Sequence, residues 1–204
     1  MLKNFIKVVL VSVAVLSSFS AMSKDYVEGK DYKIVSQNKT VEPEVREFFS
    51  FFCTHCFSMD ETFQKLAKSL EGKAKYVLNP VGIIGGDIGV ETQKAYAVGL
   101  NKGIANEVKA ELFKRIHVLN EKVSDHEFFV DVFNSLGIPT EAYEQDYSSF
   151  VTQAKVAEYD RYMDEYKIEA VPEIVVNGKY LVITDNIENE AEYEQVVNYL
   201  LTLK

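Results

Sequence analysis

The chain has 204 residues, 47% of them hydrophobic, with two cysteines and a formal net charge of −9. That apolar content suffices for one packed core, or for one domain carrying an insertion. The acidic balance and the lack of any basic cluster argue against nucleic acid as a partner.

Lys3 and Lys7 form a short positive region ahead of an apolar stretch over residues 8–16, broken only by Ser12. The stretch is too short to span a bilayer alone. Ala21-Met22-Ser23 has the small-x-small form of a signal-peptidase site, so residues 1–23 read as a signal peptide cut after Ser23. An uncleaved anchor is the alternative. Export leads to an oxidising space in which disulfides persist. Yet the two cysteines are too close in sequence to staple distant parts of a fold, as structural bridges usually do.

A first strand is expected near Tyr32. Residues 45–52 are short, aromatic-rich and almost continuously apolar, as a strand covered on both faces should be. Cys56, Met59, Phe63, Leu66, Ala67 and Leu70 then recur at three- and four-residue steps along one helical face, which Gly72 can end. This phase buries Cys56. It leaves Cys53 exposed at the helix mouth, where unpaired N–H groups and the dipole favour an anion. Residues 75–78 read as the next strand, completing a βαβ unit.

A helical block follows. Asp87 can cap a helix that ends near Gly103. Ser124 and Glu127 form a capping-box pattern for a helix to Leu136, with Gly137 just past its end. Residues 148–166 carry another long helix. Beyond it, Asn177-Gly178 between residues 173–176 and 179–183 signals a hairpin. Tyr193, Val196, Val197, Leu200 and Leu201 mark a closing helix capped by Asn189.

These residues resemble the DsbA family of periplasmic thiol:disulfide oxidoreductases. The likeness rests on residues 47–53, His55-Cys56, Gly85-Gly86-Asp87, Ser149-Phe150-Val151, and Val171-Pro172 followed by residues 176–180. It implies an α/β fold: a thioredoxin fold with a helical domain inserted between its two halves. Residues 24–81 and 161–204 would form the thioredoxin-like domain, and residues 82–160 the insertion. It further implies a cis Val171–Pro172 peptide facing the cysteines, with Thr54, Val171 and Pro172 in contact with substrate. Glu47 and Lys75 match a buried acid–base pair that assists proton transfer to and from Cys56. Without the resemblance they read as strand-end charges reaching solvent. Implied partners are exported proteins with free thiols and a DsbB-type membrane quinone reductase as reoxidant. The protein would work as a monomer in the periplasm, with no cofactor beyond the Cys53–Cys56 disulfide. The family usually has proline after the first cysteine; here Thr54 stands instead, which leaves the oxidising strength open.

The chemistry follows from the cysteine pair itself. A substrate thiolate attacks the Cys53 sulfur and Cys56 leaves; a second substrate thiol resolves the mixed disulfide and expels Cys53. His55 can stabilise the Cys53 thiolate when charged or donating a hydrogen bond. A metal site would need more ligands than the two cysteines with His55, His117 and His126 provide, and covalent haem would need histidine where Phe57 stands. His117 and His126 read as surface or helix-end residues without partners. Two other functions use the same features: a reductase or isomerase, and a binding or chaperone-like protein with an inert cysteine pair.

Overall fold

A computed structural model describes residues 24–184, 187 and 189–203. The expected signal peptide lies outside these residues. Among them, β1 (Tyr32–Ile34), β2 (Glu44–Phe49), β3 (Lys75–Pro80), β4 (Glu173–Val176) and β5 (Tyr180–Val182) form one sheet in the order β1-β5-β4-β2-β3. Only β2 and β3 pair in parallel, joined by α1 (Thr54–Ser69) as the expected βαβ unit. Between β3 and β4 come α2 (Asp87–Lys102), α3 (Ala105–Phe113), a π-helical turn over Lys114–Val118, α4 (Glu127–Ser135), α5 (Thr140–Tyr147) and α6 (Phe150–Glu165). The domain boundary expected at residue 161 falls inside α6, which runs unbroken to Glu165. Helix α7 (Glu190–Thr202) closes the chain on the sheet.

Local chemistry explains where the elements stop. The strand expected to reach residue 52 ends at Phe49. Ser50 turns the chain there: its carbonyl accepts from the Cys53 N–H at 3.1 Å and its hydroxyl from the Phe52 N–H at 3.2 Å. Asp87 is the first residue of α2 rather than its cap, and Gly86 holds the cap position at φ 60°. Ser124 does not cap α4; Asp125 Oδ1 accepts from the Phe128 N–H at 3.4 Å, and Ser124 bonds Asp125. Ser149 and Asn189 do cap α6 and α7, accepting from Thr152 and Glu192. Asn177 and Gly178 turn the hairpin at φ 52° and 63°, the left-handed region that Asn and Gly tolerate.

Strand alternation sends side chains to two faces. Val45, Ile174 and Val176 meet Phe63 and Leu66 of α1, Leu70 at its C-cap, and Tyr193, Val197 and Leu200 of α7. On the opposite face Phe48, Val175 and Leu181 meet Tyr166 and Ile168. There Arg46 is buried between Glu44 at 2.9 Å and the Tyr162 ring at 3.8 Å, tying the sheet to α6. Phe49 and Phe51 enter a third core built by α2, α3, α4 and α5 around Tyr96, Leu112, Phe113, Phe129 and Tyr143. The helical layer therefore grips the segment that leads into the cysteines.

Candidate active site

Cys53 is the N-cap residue of α1, with extended backbone at φ −86°, ψ 109°. Its sulfur accepts from the Cys56 N–H at 3.1 Å, a bond that a serine or aspartate oxygen makes in an ordinary cap. An anion on this sulfur meets that N–H and the positive end of the helix dipole together. Both cysteines are free thiols and both are buried. Cys56 lies on the apolar stripe as expected and is 1% exposed. Burial pushes its thiol upward. The hydrogen bond with Cys53 adds to that, while a backbone hydrogen bond at Ser50 opposes it and Glu47 reinforces it.

The exposure expected of Cys53 is corrected. It is 9% exposed, more open than Cys56 but buried, because the Val171 carbonyl sits 3.5 Å from its sulfur. The Val171–Pro172 peptide is cis, in agreement with expectation. Beside it runs a groove of about 430 Å³ whose lining includes His55, Val171, Pro172 and Leu181. His55 and Thr54 are both exposed on the first turn of α1.

Glu47 is 1% exposed and accepts from the Tyr76 hydroxyl at 2.8 Å. Burial raises its carboxyl above the usual range; Lys109 and the Tyr76 bond oppose the rise and Asp60 adds to it. The expected pair with Lys75 does not form. Register places Lys75 opposite Glu44 and Leu78 opposite Glu47, so alternation turns Lys75 to the other sheet face and leaves it exposed. The cation near Glu47 is Lys109 of α3, 6% exposed and paired with Asp60 of α1 at 2.5 Å. Sequence reasoning missed Tyr76, Asp60 and Lys109. Strand parity could have found Tyr76, but nothing local brings α3 over β2.

The two remaining histidines are also corrected, since both have partners. His117 lies in the π-helical turn with Nε2 2.8 Å from the Phe51 carbonyl. A carbonyl only accepts, so Nε2 carries the hydrogen. The same ring stacks on Phe57 with centroids 4.9 Å apart and planes 8° from parallel. It thus touches the chain on both sides of the cysteine pair. His126 lies between Glu144, 2.7 Å from Nε2, and Glu91, 3.5 Å from Nδ1. Burial lowers its value, but the two carboxylates outweigh that and raise it. Among the described residues no group of three or more His, Cys, Asp and Glu converges as a metal site.

One cysteine at the helix mouth and a second buried one turn on, set in this fold, define a class: the thioredoxin-fold thiol:disulfide oxidoreductases. Residues 44–194 match the DSBA-like thioredoxin domain, and the chain belongs to that family. The thiol:disulfide interchange protein DsbA of Escherichia coli O6:H1 is 30% identical over 203 residues, covering 95% of this chain and 97% of its own. A solved Pseudomonas aeruginosa DsbA variant superposes with a TM-score of 0.79 at 25% identity, covering 87% of this chain and 97% of that one. Proteus mirabilis DsbA with a non-covalently bound peptide superposes at 0.78 with 29% identity, covering 88% of this chain and all 100% of that one. No helix among the described residues is long and apolar enough to cross a membrane.

Proposed function

We propose that this chain oxidises dithiols of exported proteins to disulfides, with Cys53 as the attacked sulfur and Cys56 as its buried partner. A substrate thiolate attacks Cys53 Sγ, the Cys53–Cys56 bond breaks, and Cys56 leaves as a thiolate. Glu47 supplies the proton that makes Cys56 a thiol. A second substrate thiolate then attacks the substrate sulfur of the mixed disulfide and Cys53 departs as a thiolate. The substrate loses two electrons and the enzyme disulfide gains them. The groove beside Val171 and Pro172, lined in part by His55, receives the substrate chain, and the exposed Thr54 contacts it as well. The peptide held by the Proteus mirabilis relative supports a peptide-binding surface of this kind. Reoxidation by a DsbB-type membrane quinone reductase, a periplasmic location after cleavage at Ser23, a monomeric state and the division into residues 24–81 with 161–204 and residues 82–160 complete the proposal.

The observation that carries it is the asymmetry of the pair: one sulfur bonded by an N–H at the helix mouth, the other sealed in the core. Equilibrium with glutathione tests the direction. An oxidase should come to a potential well above the thioredoxin value of about −270 mV. A thioredoxin-like value would make the protein a reductase, and failure to exchange with small thiols would make the pair inert. Alkylation of the reduced protein at about pH 6 should label Cys53 well before Cys56, because Cys53 sits at the helix mouth and Cys56 is sealed in the core. Equal rates would overturn the assignment of roles.

A further inference from the structure

We propose that Lys109, held by Asp60, is the positioning cation for the buried Glu47, and that the cleft above this cluster is where the Cys56 proton reaches water. The inference rests on Glu47 being the proton carrier for Cys56. An ammonium that is 6% exposed needs compensation, since burying an unpaired charge is costly. Asp60 supplies it at 2.5 Å. The ammonium also lies 5.1 Å from the centroid of Phe49 and 5.7 Å from that of Phe113. Phe49 is two residues from Glu47 on the same face of β2, so α3 delivers its cation to the face where Glu47 is buried.

The charge count gives the arrangement its meaning. With Glu47 protonated, Lys109 and Asp60 cancel. With Glu47 ionised, the cluster carries one net negative charge in a buried place. A carboxyl so placed holds its proton readily, yet the cation keeps the ionised form within reach. Both states are required if Cys56 alternates between thiolate and thiol. The groups that face Glu47 electrostatically are Tyr76, Asp60, Lys109, Tyr96, Tyr193 and Cys56. Of these, Lys109 is the cation, and the tyrosines carry no charge near neutral pH because burial raises each of them.

Glu47, Asp60, Tyr76 and Lys109 all line one open cleft of about 920 Å³ between α1, α3 and the edge strand β3; the exposed Lys75 lines it too but pairs with none of them. It shares no lining residue with the groove at Val171 and Pro172. A substrate seated in that groove would leave the cleft open, so the proton has a separate route to solvent.

Carboxyl ¹³C NMR of Glu47 in the reduced, labelled protein tests the assignment directly. Lys109→Met should raise the Glu47 titration midpoint by about one unit or more, a tenfold gain in proton affinity. Lys109→Arg should restore it, and Lys75→Met should leave it where it was. Asp60→Asn should lower the midpoint. The double variant Asp60→Asn, Lys109→Met leaves no unpaired charge and should fall between the two singles, which covers the case in which Lys109→Met folds poorly. An unmoved midpoint in Lys109→Met, or an equal move in Lys75→Met, overturns the inference. The underlying reading is checked separately by the pH profile of Cys56 alkylation in a Cys53→Ser background. If Glu47→Gln leaves that profile unchanged, Glu47 is not the proton carrier, whatever Lys109 does to its titration.

Discussion

Replacing Glu47 by glutamine exposes what the buried carboxylate does to stability. Glutamine nearly keeps the volume, and its amide oxygen can accept the Tyr76 bond that Glu47 accepts at 2.8 Å. The substitution therefore removes charge and little else. Burial holds the Glu47 carboxyl above its ordinary range, with Lys109 and Tyr76 opposing the rise only in part. Between the unfolded value of about 4.3 and the raised folded value, the folded chain binds more protons than the unfolded one. Stability must fall as pH climbs through that window, by about 1.4 kcal/mol for each unit of displacement. The penalty is absent below the unfolded value and complete above the folded one. Glu47→Gln should match the parent near pH 4 and be more stable near pH 8 by about 1–3 kcal/mol, the scale of an imperfectly compensated buried polar group. Urea melts of both reduced proteins across that range measure the gap, and equal m-values would show that the unfolded states are alike. A gap that does not change with pH, or a variant less stable throughout, would refute the reasoning.

Other expectations follow from single contacts. Gly89→Ala would place a Cβ 2.4 Å from the carbonyl oxygens of Gly82 and Ile84, so α2 must lift off its loop; the loss should be about 1–3 kcal/mol in a thermal or urea melt. His117→Ala leaves the Phe51 carbonyl without its donor and strips a ring from Phe57; a cost of about 1–3 kcal/mol is expected, with His117→Gln recovering part of it if the hydrogen bond matters. His55→Ala should make the pair less oxidising, with about 30 mV for each tenfold change in the exchange constant; an unchanged potential would assign thiolate stabilisation to the helix terminus. Thr54→Pro should shift the potential with the fold intact, because Thr54 is the first residue of α1, where proline is tolerated. Equal potentials would mean that Thr54 does not tune the site.

The sequence by itself determined whatever depends on neighbours along the chain. The phase that buries Cys56 and puts Cys53 at a helix mouth was legible, because helix periodicity is a property of a few adjacent turns. So were the hairpin at Asn177-Gly178, the cap at Asn189 and the βαβ unit around the cysteines. Only the tertiary structure decided the contacts between segments. The Val171 carbonyl covers Cys53, a closure that depends on a loop 118 residues away. Lys75 seemed the natural mate for Glu47 in a list of residues, but parallel register sets it against Glu44 and strand alternation turns it to the other face. Its place near Glu47 is taken by Lys109, on a helix whose own periodicity says nothing of the sheet. His117 and His126 looked unpartnered for the same reason: Phe51 lies 66 residues from the first, and Glu91 and Glu144 lie 35 and 18 from the second. Which charges meet in a core is set by how layers pack, and side-chain spacing along one chain segment carries no record of that.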